Sequence, residues 1–245
     1  MSTRRAVVHR IATAAPDDVS GLERAIAEGR IVPGAIVAIF GKTEGNGLVN
    51  DWTRGLAARA LRDLLGRHAG PEAAERVCLV MSGGTEGGLS PHVTVFEVRE
   101  ADEAAVPGAL AIGHAHTADL RPEQVGRLAQ VASVADGVRA AMRAAGIVDP
   151  DEVHFVQVKC PLLTSERIAE ARGRDADCAT ADTLKSMGLS RAAASLGIAA
   201  ALGEAEARDE ASEKSRPIAA SSSAPTSPSA AAMPREAAAR ERPMD

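Results

Sequence analysis

The composition of the chain changes abruptly near residue 204, and this break limits the part of the chain that can fold. Before the break, apolar runs alternate with helical patterns. Residues 205–245 contain one isoleucine and no leucine, valine, phenylalanine or tryptophan. A segment this poor in apolar side chains cannot bury enough surface to offset the entropy that it would lose on ordering. We therefore predict that residues 205–245 are disordered and that residues 1–204 fold.

Charge and composition exclude several classes of protein. The 245-residue chain carries a formal net charge of −5 and only 2% aromatic residues, whereas nucleic-acid binding favours basic patches and stacking rings. No apolar run reaches the roughly 18 residues of a membrane span, and the start lacks the apolar stretch of a secretory signal. The three cysteines form no CxxC motif. We expect reduced thiols in a cytoplasmic protein that binds neither nucleic acid nor membranes.

Strand and helix patterns alternate along the first 204 residues. Strands are predicted at 31–41, 76–84, 92–98, 109–116 and 153–159. Helices are predicted at 17–29, 53–68, 122–146, 164–172 and 181–203, the last of them interrupted at Gly188 and Gly197. This alternation indicates a layered α/β or α+β fold.

Two segments of the chain resemble each other. The segments PGAIVAIFGK (33–42) and EVHFVQVK (152–159) are both predicted strands that end in lysine, and each is followed by a helix containing arginine. In the first copy that helix leads to a strand ending in Ser82, 28 residues after Arg54. The same interval in the second copy falls in the tail, so the second copy is incomplete. An internal repeat of about a hundred residues is one interpretation, and chance similarity is the other.

Ser82 is the first candidate for chemistry. It ends a predicted strand and is followed by four glycines within six residues, beginning with Gly83. Such a turn exposes the hydroxyl and lets backbone N–H groups approach a ligand, as an oxyanion hole requires. The alternative is a glycine-rich loop with a purely structural serine. A phosphate-binding P-loop is excluded because no GK[ST] follows.

Lys42 and Lys159 are candidates because lysine is rare here. The chain has only four lysines, and its other basic residues are arginines. A lysine at the end of an apolar strand can have its pKa lowered by burial or by a neighbouring cation, and can then take a proton from a serine. The alternative is a surface lysine whose stem lies along apolar side chains.

Arg54 and Arg191 are placed at predicted helix starts, where a cation opposes the helix dipole. Each side chain therefore either faces solvent or donates hydrogen bonds to carbonyl or anionic oxygens.

His114 and His116 share one face of a predicted strand, but no third metal ligand has suitable spacing. We expect no metal site.

Four segments together resemble the ring-opening cyclic amide hydrolases, the family of cyanuric acid hydrolase and barbiturase. They are MSGGTEGGLSPHVTVF (81–96), AIGHAHT (111–117), FVQVKCPLLT (155–164) and LKSMGLSRAAASLGIAAALGE (184–204). The SGGTEG…SPH segment is the most specific of them. The resemblance covers most of residues 3–204.

The resemblance implies three similar repeats around a pseudo-threefold axis, each contributing a serine, a lysine and an arginine to one central site. Residues 1–104 then form the first repeat and residues 105–204 an incomplete second repeat. Lys42, Arg54 and Ser82 match the first set, and Lys159 and Arg191 match the second.

The resemblance also assigns roles to these residues. Lys159 is the catalytic lysine, paired in the family with the second-repeat serine that is regarded as the nucleophile. The substrate-binding residues are Arg54, Ser82, Gly83, Arg191 and Lys42. The implied substrate is a small cyclic imide, cyanuric acid or a barbiturate; no cofactor is implied, and a homo-oligomer is expected.

The chain departs from the family pattern after residue 204. The second-repeat serine, the third repeat and the structural metal site of that repeat have no counterpart, since the serines of the tail lack a strand and an SGG-like context. A shifted reading frame in a GC-rich gene is our hypothesis for this change. Three functions stay open: hydrolytic ring opening, ring binding without hydrolysis, and a self-contained amidase built on Ser82 and a lysine.

Overall fold

The computed structural model describes residues 3–84, 90–101 and 110–205. We call residues 3–101 the sheet unit and residues 110–205 the helical unit. Two predictions fall outside the described residues: the disorder of residues 205–245, of which only Ala205 is described, and the repeat boundary after residue 104. Within the described ranges, no helix is long and apolar enough to cross a membrane.

The sheet unit is a four-stranded mixed sheet with helices. Its elements are β1 (Thr3–Ala12), α1 (Ser20–Ala27), β2 (Ile36–Lys42), α2 (Trp52–Ala69), α3 (Pro71–Arg76), β3 (Cys78–Ser82) and β4 (His92–Ala101). The strand order is β1-β4-β2-β3. Strand β4 is antiparallel to both β1 and β2, and β3 is parallel to β2. The central strand β4 therefore joins β1 to β2, which do not pair with each other.

Period-two burial explains how this sheet meets its helices. Val93, Val95 and Glu97 are buried along β4, while the residues between them are half-buried. Together with Ile39 and Met81 they face a cluster from α1 and α2, which is centred on the fully buried leucines Leu22, Leu64 and Leu65. The predicted strands and helices of this unit are thus confirmed, except that residues Pro33–Ala35 form a 3-10 turn and shorten the strand predicted from residue 31.

Strand β1 was not predicted from the sequence. Its segment TRRAVVHRIA mixes basic and apolar residues without clean alternation. It forms because β4 offers a full antiparallel register, from Thr3 opposite Ala101 to Ala12 opposite His92. Tertiary pairing outweighs a weak local pattern here.

The helical unit contains α4 (Leu128–Ala145), α5 (Ser165–Arg172) and α6 (Thr183–Leu202). Helix α5 begins as predicted, with the Thr164 hydroxyl accepting a hydrogen bond from the backbone N–H of Arg167. Helix α6 corrects our expectation of interruptions at Gly188 and Gly197, because it is continuous. A Cβ at Gly197 would lie 2.6 Å from the carbonyl oxygen of Val131 on α4, so this glycine permits close packing of α4 and α6.

The strands predicted at 109–116 and 153–159 are not strands in the described residues. Residues 110–116 and 154–159 have no ladder or other backbone–backbone hydrogen bond to any described residue. The second of these segments nevertheless keeps a strand-like pattern, because burial alternates along residues 156–160. The physical reason for the discrepancy is that a strand needs a partner elsewhere in the chain, and the pattern of one segment cannot supply it.

Candidate functional site

The candidate site lies where β2 and β3 end side by side. The two strands are parallel, and Lys42 is directly opposite Ser82 in their register. The Lys42 ammonium donates hydrogen bonds to Ser82 Oγ at 3.3 Å and to the Gly83 carbonyl oxygen at 3.2 Å. Ser82 itself is exposed. The structure thus brings together two predicted residues that are 40 positions apart in the sequence.

The loop that follows Lys42, at the same end of β2, fixes the turn that follows Ser82. Thr43 donates its backbone N–H to the Ser82 carbonyl oxygen at 2.9 Å, and Gly84 donates to the Gly45 carbonyl oxygen at 2.5 Å. A Cβ at Gly83 would collide with the carboxylate of Asp51 and lie 2.6 Å from the Gly47 nitrogen. Gly83 is therefore required by the close approach of the loop.

This geometry corrects one expectation about the oxyanion hole. The N–H of Gly84 is already donated to the Gly45 carbonyl oxygen, so it is not available to a ligand. The N–H of Gly83 donates to no described residue. Of these two backbone N–H groups, only that of Gly83 can stabilise developing charge.

Asp51 is a residue of the candidate site that the sequence analysis did not single out, and it positions the loop that contacts Gly83. Its side chain is fully buried; one carboxylate oxygen accepts from the backbone N–H of Thr53 at 3.0 Å and the other from that of Gly47 at 2.9 Å. Burial works against ionisation, but hydrogen bonds from Thr53 and Gly47 and the charge of Arg54 hold the pKa of Asp51 below its ordinary value. The signal in the sequence was an aspartate at the N-cap of a predicted helix.

Arg54 lies at a helix start, as predicted. Neighbouring groups offset the unfavourable interaction between its positive charge and the helix dipole. Its Nε is 3.4 Å from a carboxylate oxygen of Asp51, and its Nη2 donates to the Leu48 carbonyl oxygen. The Asp51 anion thus offsets the cation at the N-terminus of α2. About a third of the Arg54 side chain is exposed, at 31%, so the guanidinium is held in place while one edge stays accessible.

Lys159 lies on the extended segment of the helical unit and reaches towards α2. Partial burial, followed by the charges of Arg54 and Arg62, lowers the pKa of Lys159 below its ordinary value. Lys159, from the second set, is therefore close enough to Arg54, from the first set, for the Arg54 charge to affect the pKa of Lys159. A lysine with a lowered pKa is the kind that acts as a general base.

Arg191 does not lie where the sequence predicted. Helix α6 begins at Thr183, so Arg191 occupies the middle of a helix rather than its start. The guanidinium is exposed and close enough to Cys160 to act on its thiol, whose pKa burial raises. No contact among the described residues joins Arg191 to Lys42 or Ser82, so its membership of one site with them stays a prediction.

The histidines predicted on one strand face lie near a cysteine instead. The rings of His114 and His116 are 6.2 Å apart and nearly perpendicular, and His116 Nε2 lies 3.4 Å from Cys78 Sγ. Burial lowers the pKa of His114 and raises that of Cys78. The described residues contain no group of three or more side chains suited to hold a metal ion.

A small cavity lies beside the candidate site. It is lined in part by Lys42 and Thr43, and its volume of about 10 Å³ is at the lower limit for holding one water molecule. A flat ring could not be enclosed there. The groups on β2, β3 and α2 therefore form one wall of a site rather than a complete pocket.

The fold defined by these elements is that of solved cyanuric acid hydrolases. The crystal structure of the hydrolase from A. caulinodans superposes with a TM-score of 0.80 at 63% identity, covering 84% of this chain and 57% of that one. A second cyanuric acid hydrolase, described as an evolutionary innovation by structural concatenation, superposes with a TM-score of 0.79 at 51% identity, covering 83% and 57%.

Sequence comparison agrees with the fold. The chain is 64% identical over 194 residues to a cyanuric acid amidohydrolase of Azorhizobium caulinodans, covering 79% of this chain and 54% of that protein. It is 53% identical over 197 residues to that of Pseudomonas sp. strain ADP, covering 78% and 54%.

The family described as amidohydrolase ring-opening protein matches residues 7–236. The chain belongs to this family of ring-opening amidohydrolases. It spans about half the length of the curated relatives that it matches.

Proposed function

We propose that this chain carries the ring-binding wall and the catalytic lysine of a site for hydrolytic ring opening of a cyclic amide, either cyanuric acid or a barbiturate. The observation that carries the proposal is the alignment of Lys42 with Ser82, at 3.3 Å, on the ends of two paired strands. Membership of the family and the names of the relatives support the substrate class.

The residue types suit the reaction. A neutral lysine takes the proton of a serine Oγ while that oxygen attacks a ring carbonyl carbon. The ring C–N bond then breaks, the lysine returns the proton to the departing nitrogen, and water hydrolyses the resulting ester. We assign the lysine role to Lys159, because partial burial, followed by the charges of Arg54 and Arg62, lowers its pKa.

The other residues hold the ring. Lys42 and Ser82 present an ammonium and a hydroxyl to a carbonyl oxygen, Arg54 presents its free edge, and the Gly83 N–H faces developing charge. Arg191 completes the set that the resemblance predicts. The chain alone is expected to bind the ring without opening it, since the serine that matches the nucleophile of the family is not among residues 1–204.

The proposal includes the repeat organisation. We assign residues 1–104 to a first repeat and residues 105–204 to an incomplete second repeat, with residues 205–245 outside the folded core. The description of one relative as a structural concatenation supports this division. We further propose a cytoplasmic protein without a cofactor, and self-association as in the family.

Ring binding can be measured directly. Isothermal titration of the purified chain with cyanuric acid and with barbituric acid should give binding of at least one of them, with no hydrolysis product by chromatography. Arg54→Ala should weaken binding about tenfold or more, since a charge-assisted hydrogen bond is lost. Arg59→Ala is the matched control, an exposed arginine five residues further along α2. Absence of binding to both rings would reject the proposal.

The Lys42–Ser82 hydrogen bond favours one second candidate, a self-contained amidase in which Ser82 is the nucleophile and Lys42 the base. This candidate requires the chain alone to hydrolyse a cyclic amide. Ser82→Ala should then abolish hydrolysis, while Ser195→Ala, at an exposed serine of α6, should leave it unchanged. Binding without turnover in the unmodified chain would reject this candidate and retain the first.

A further inference from the structure

We propose that each unit fixes the separation of its lysine and its arginine by one side-chain hydrogen bond, which joins the residue after the lysine to the residue before the arginine. In the sheet unit these two residues are Thr43 and Thr53, and in the helical unit they are Cys160 and Ser190. We call them the positioning pairs. Their role is to hold the groups that bind and open the ring, so the inference rests on the proposed function and deepens it.

The same order of residue types occurs in both units. Each lysine is followed by a small residue with a hydroxyl or a thiol, and each arginine is preceded by a small residue with a hydroxyl. The four adjacent pairs are Lys42–Thr43, Thr53–Arg54, Lys159–Cys160 and Ser190–Arg191. This shared order lets the same contact form in both units, although one arginine lies near the start of α2 and the other in the middle of α6.

The pair of the sheet unit connects the end of β2 to the start of α2. The hydroxyl oxygens of Thr43 and Thr53 lie 2.8 Å apart, within hydrogen-bonding distance. The backbone N–H of Thr43 donates to the Ser82 carbonyl oxygen at 2.9 Å, and that of Thr53 donates to the Asp51 carboxylate at 3.0 Å. The hydroxyl contact thus joins the strand ends that carry Lys42 and Ser82 to the first turn of α2.

The pair of the helical unit joins the segment of Lys159 to α6. Cys160 packs against the apolar cluster of α4 and α6, and Ser190 is fully buried. The Ser190 hydroxyl oxygen accepts a hydrogen bond from Gln130 Nε2 at 2.9 Å, which leaves its one proton for the Cys160 sulfur. Burial raises the pKa of the Cys160 thiol, and the hydrogen bond from Ser190 acts in the opposite direction.

The two pairs are anchored by different neighbours. Asp51 stands three residues before Arg54, whereas Gly188 stands three residues before Arg191. In the helical unit the anchor is instead the buried Gln130 of α4, which also donates to the Ser190 carbonyl oxygen at 3.1 Å. The contact between the paired residues is therefore what the two units share, while its surroundings differ.

The polar groups of the positioning pairs are unfavourable for packing alone. Thr43 and Ser190 are 4% and 0% exposed, and a buried hydroxyl lowers stability unless it is hydrogen-bonded. Valine and alanine would fill the same space without this requirement. Lysine and arginine heads stand on long flexible side chains, so gripping a flat ring requires their backbone positions to be fixed to about 1 Å. A hydroxyl contact beside each head meets this need.

Two substitutions of Thr53 separate positioning from packing. Thr53→Val keeps the shape and removes the hydroxyl, whereas Thr53→Ser keeps the hydroxyl. In isothermal titration with cyanuric acid and barbituric acid, Thr53→Val should weaken ring binding about tenfold and Thr53→Ser should stay within about twofold of the unmodified chain. Thr183→Val, at a half-buried threonine at the start of α6, is the control. Equal affinities of the two Thr53 variants would overturn the proposal.

Cys160 gives the equivalent test in the helical unit. Cys160→Ala removes the thiol, whereas Cys160→Ser keeps a group that accepts the hydrogen bond from Ser190. The alanine variant should weaken ring binding about tenfold, and the serine variant should stay within about twofold of the unmodified chain. Cys178→Ala, at another half-buried cysteine of this unit, is the control. Ring binding by Cys160→Ala as tight as that by Cys160→Ser would contradict a contact shared by both units.

Hydrogen exchange followed by NMR measures the pair of the sheet unit without any ring. In Thr53→Val the amide proton of Thr43 should exchange about tenfold faster, because the end of β2 loses its contact with α2. The amide proton of Val95, within β4, should keep its exchange rate, and Thr53→Ser should change neither rate. Unchanged exchange at Thr43 would overturn the proposal. Equal acceleration at Val95 would also overturn it, because the hydroxyl would then act on general stability.

The two measurements together separate this inference from the proposed function. An unmodified chain that binds neither ring rejects the proposed function, and exchange at Thr43 then still decides whether the positioning pair holds the strand end. An unmodified chain that binds a ring, with Thr53→Val binding it equally well, rejects the positioning pairs and retains the proposed function.

Discussion

The sheet unit and the helical unit differ in how far the packing of their described residues proceeds. In the sheet unit, one apolar cluster runs from α1 and α2 into three strands. In the helical unit, the buried residues form two small clusters, around Leu163 and around Val138. Helices satisfy their own backbone hydrogen bonds locally, whereas strands depend on distant segments. The described residues of the helical unit therefore form helices, while their strand-like segments have no described partner.

The largest expected effect tests whether the sheet unit dominates stability. Leu64→Ala removes a fully buried side chain of α2 and should lower the free energy of unfolding by about 2–5 kcal/mol. Leu196→Ala on α6, where the side chain is 40% exposed, should cost less than about 1 kcal/mol. Urea denaturation followed by circular dichroism measures both. Similar losses at the two positions would remove the contrast between the units.

A second test concerns β4, a central strand of the sheet unit. Buried Glu97 accepts hydrogen bonds from the Val32 N–H, from Arg99 and from His9, each at 2.7 Å. Glu97→Gln removes the charge that these partners face and should cost about 1–3 kcal/mol. Glu100→Gln, at an exposed position of the same strand, is the control. A loss no greater than that of the control would show that β4 holds the sheet by its backbone and apolar side chains alone.

A third test addresses the close contact that shapes the site of the sheet unit. Gly83→Ala should push the loop at Asp51 away and cost about 1–2 kcal/mol, because an added methyl has no room. The affinity of the chain for cyanuric acid or barbituric acid should also fall, since the Lys42–Ser82 alignment depends on this turn. Gly34→Ala meets nothing within 4 Å and should leave both unfolding and ring binding unchanged. An unchanged ring affinity in Gly83→Ala would separate the turn from the binding wall.

The smallest expected effect is a pH dependence carried by Asp51. The pKa of this carboxyl is lowered in the folded chain, so its contribution to stability is present above the unfolded value, about 3.9, and is lost as pH falls through the folded value. Asp51→Asn still caps α2 but does not titrate. It should cost about 1 kcal/mol at pH 7, and its difference from the unmodified chain should shrink below about pH 4. Asp63→Asn, at an exposed position of α2, should show no such convergence.

Local patterns predicted α1, α2 and the strands β2, β3 and β4 of the sheet unit, because those patterns indicate which face of an element is buried. They did not predict β1 or α3. The candidates Lys42 and Ser82 could be chosen from their places at strand ends, and the structure aligns them. Asp51 was missed because nothing in the sequence shows that its carboxylate would be covered by the Ser82–Gly84 turn. Arg191 was misplaced because glycine interruptions were expected in a helix that tertiary packing keeps continuous.

The sequence by itself determined the family and the apolar faces, since these depend on residue identity and spacing, and it supplied the candidate site residues. Only the tertiary structure decided which apolar segments became strands. Residues 36–42 are strand because β3 and β4 supply hydrogen bonds on both sides, whereas residues 153–159, with a similar pattern, are not. Strand formation is a property of a pair of segments. The sequence of one segment shows only that it can pair, and the tertiary structure determines whether a partner strand lies beside it.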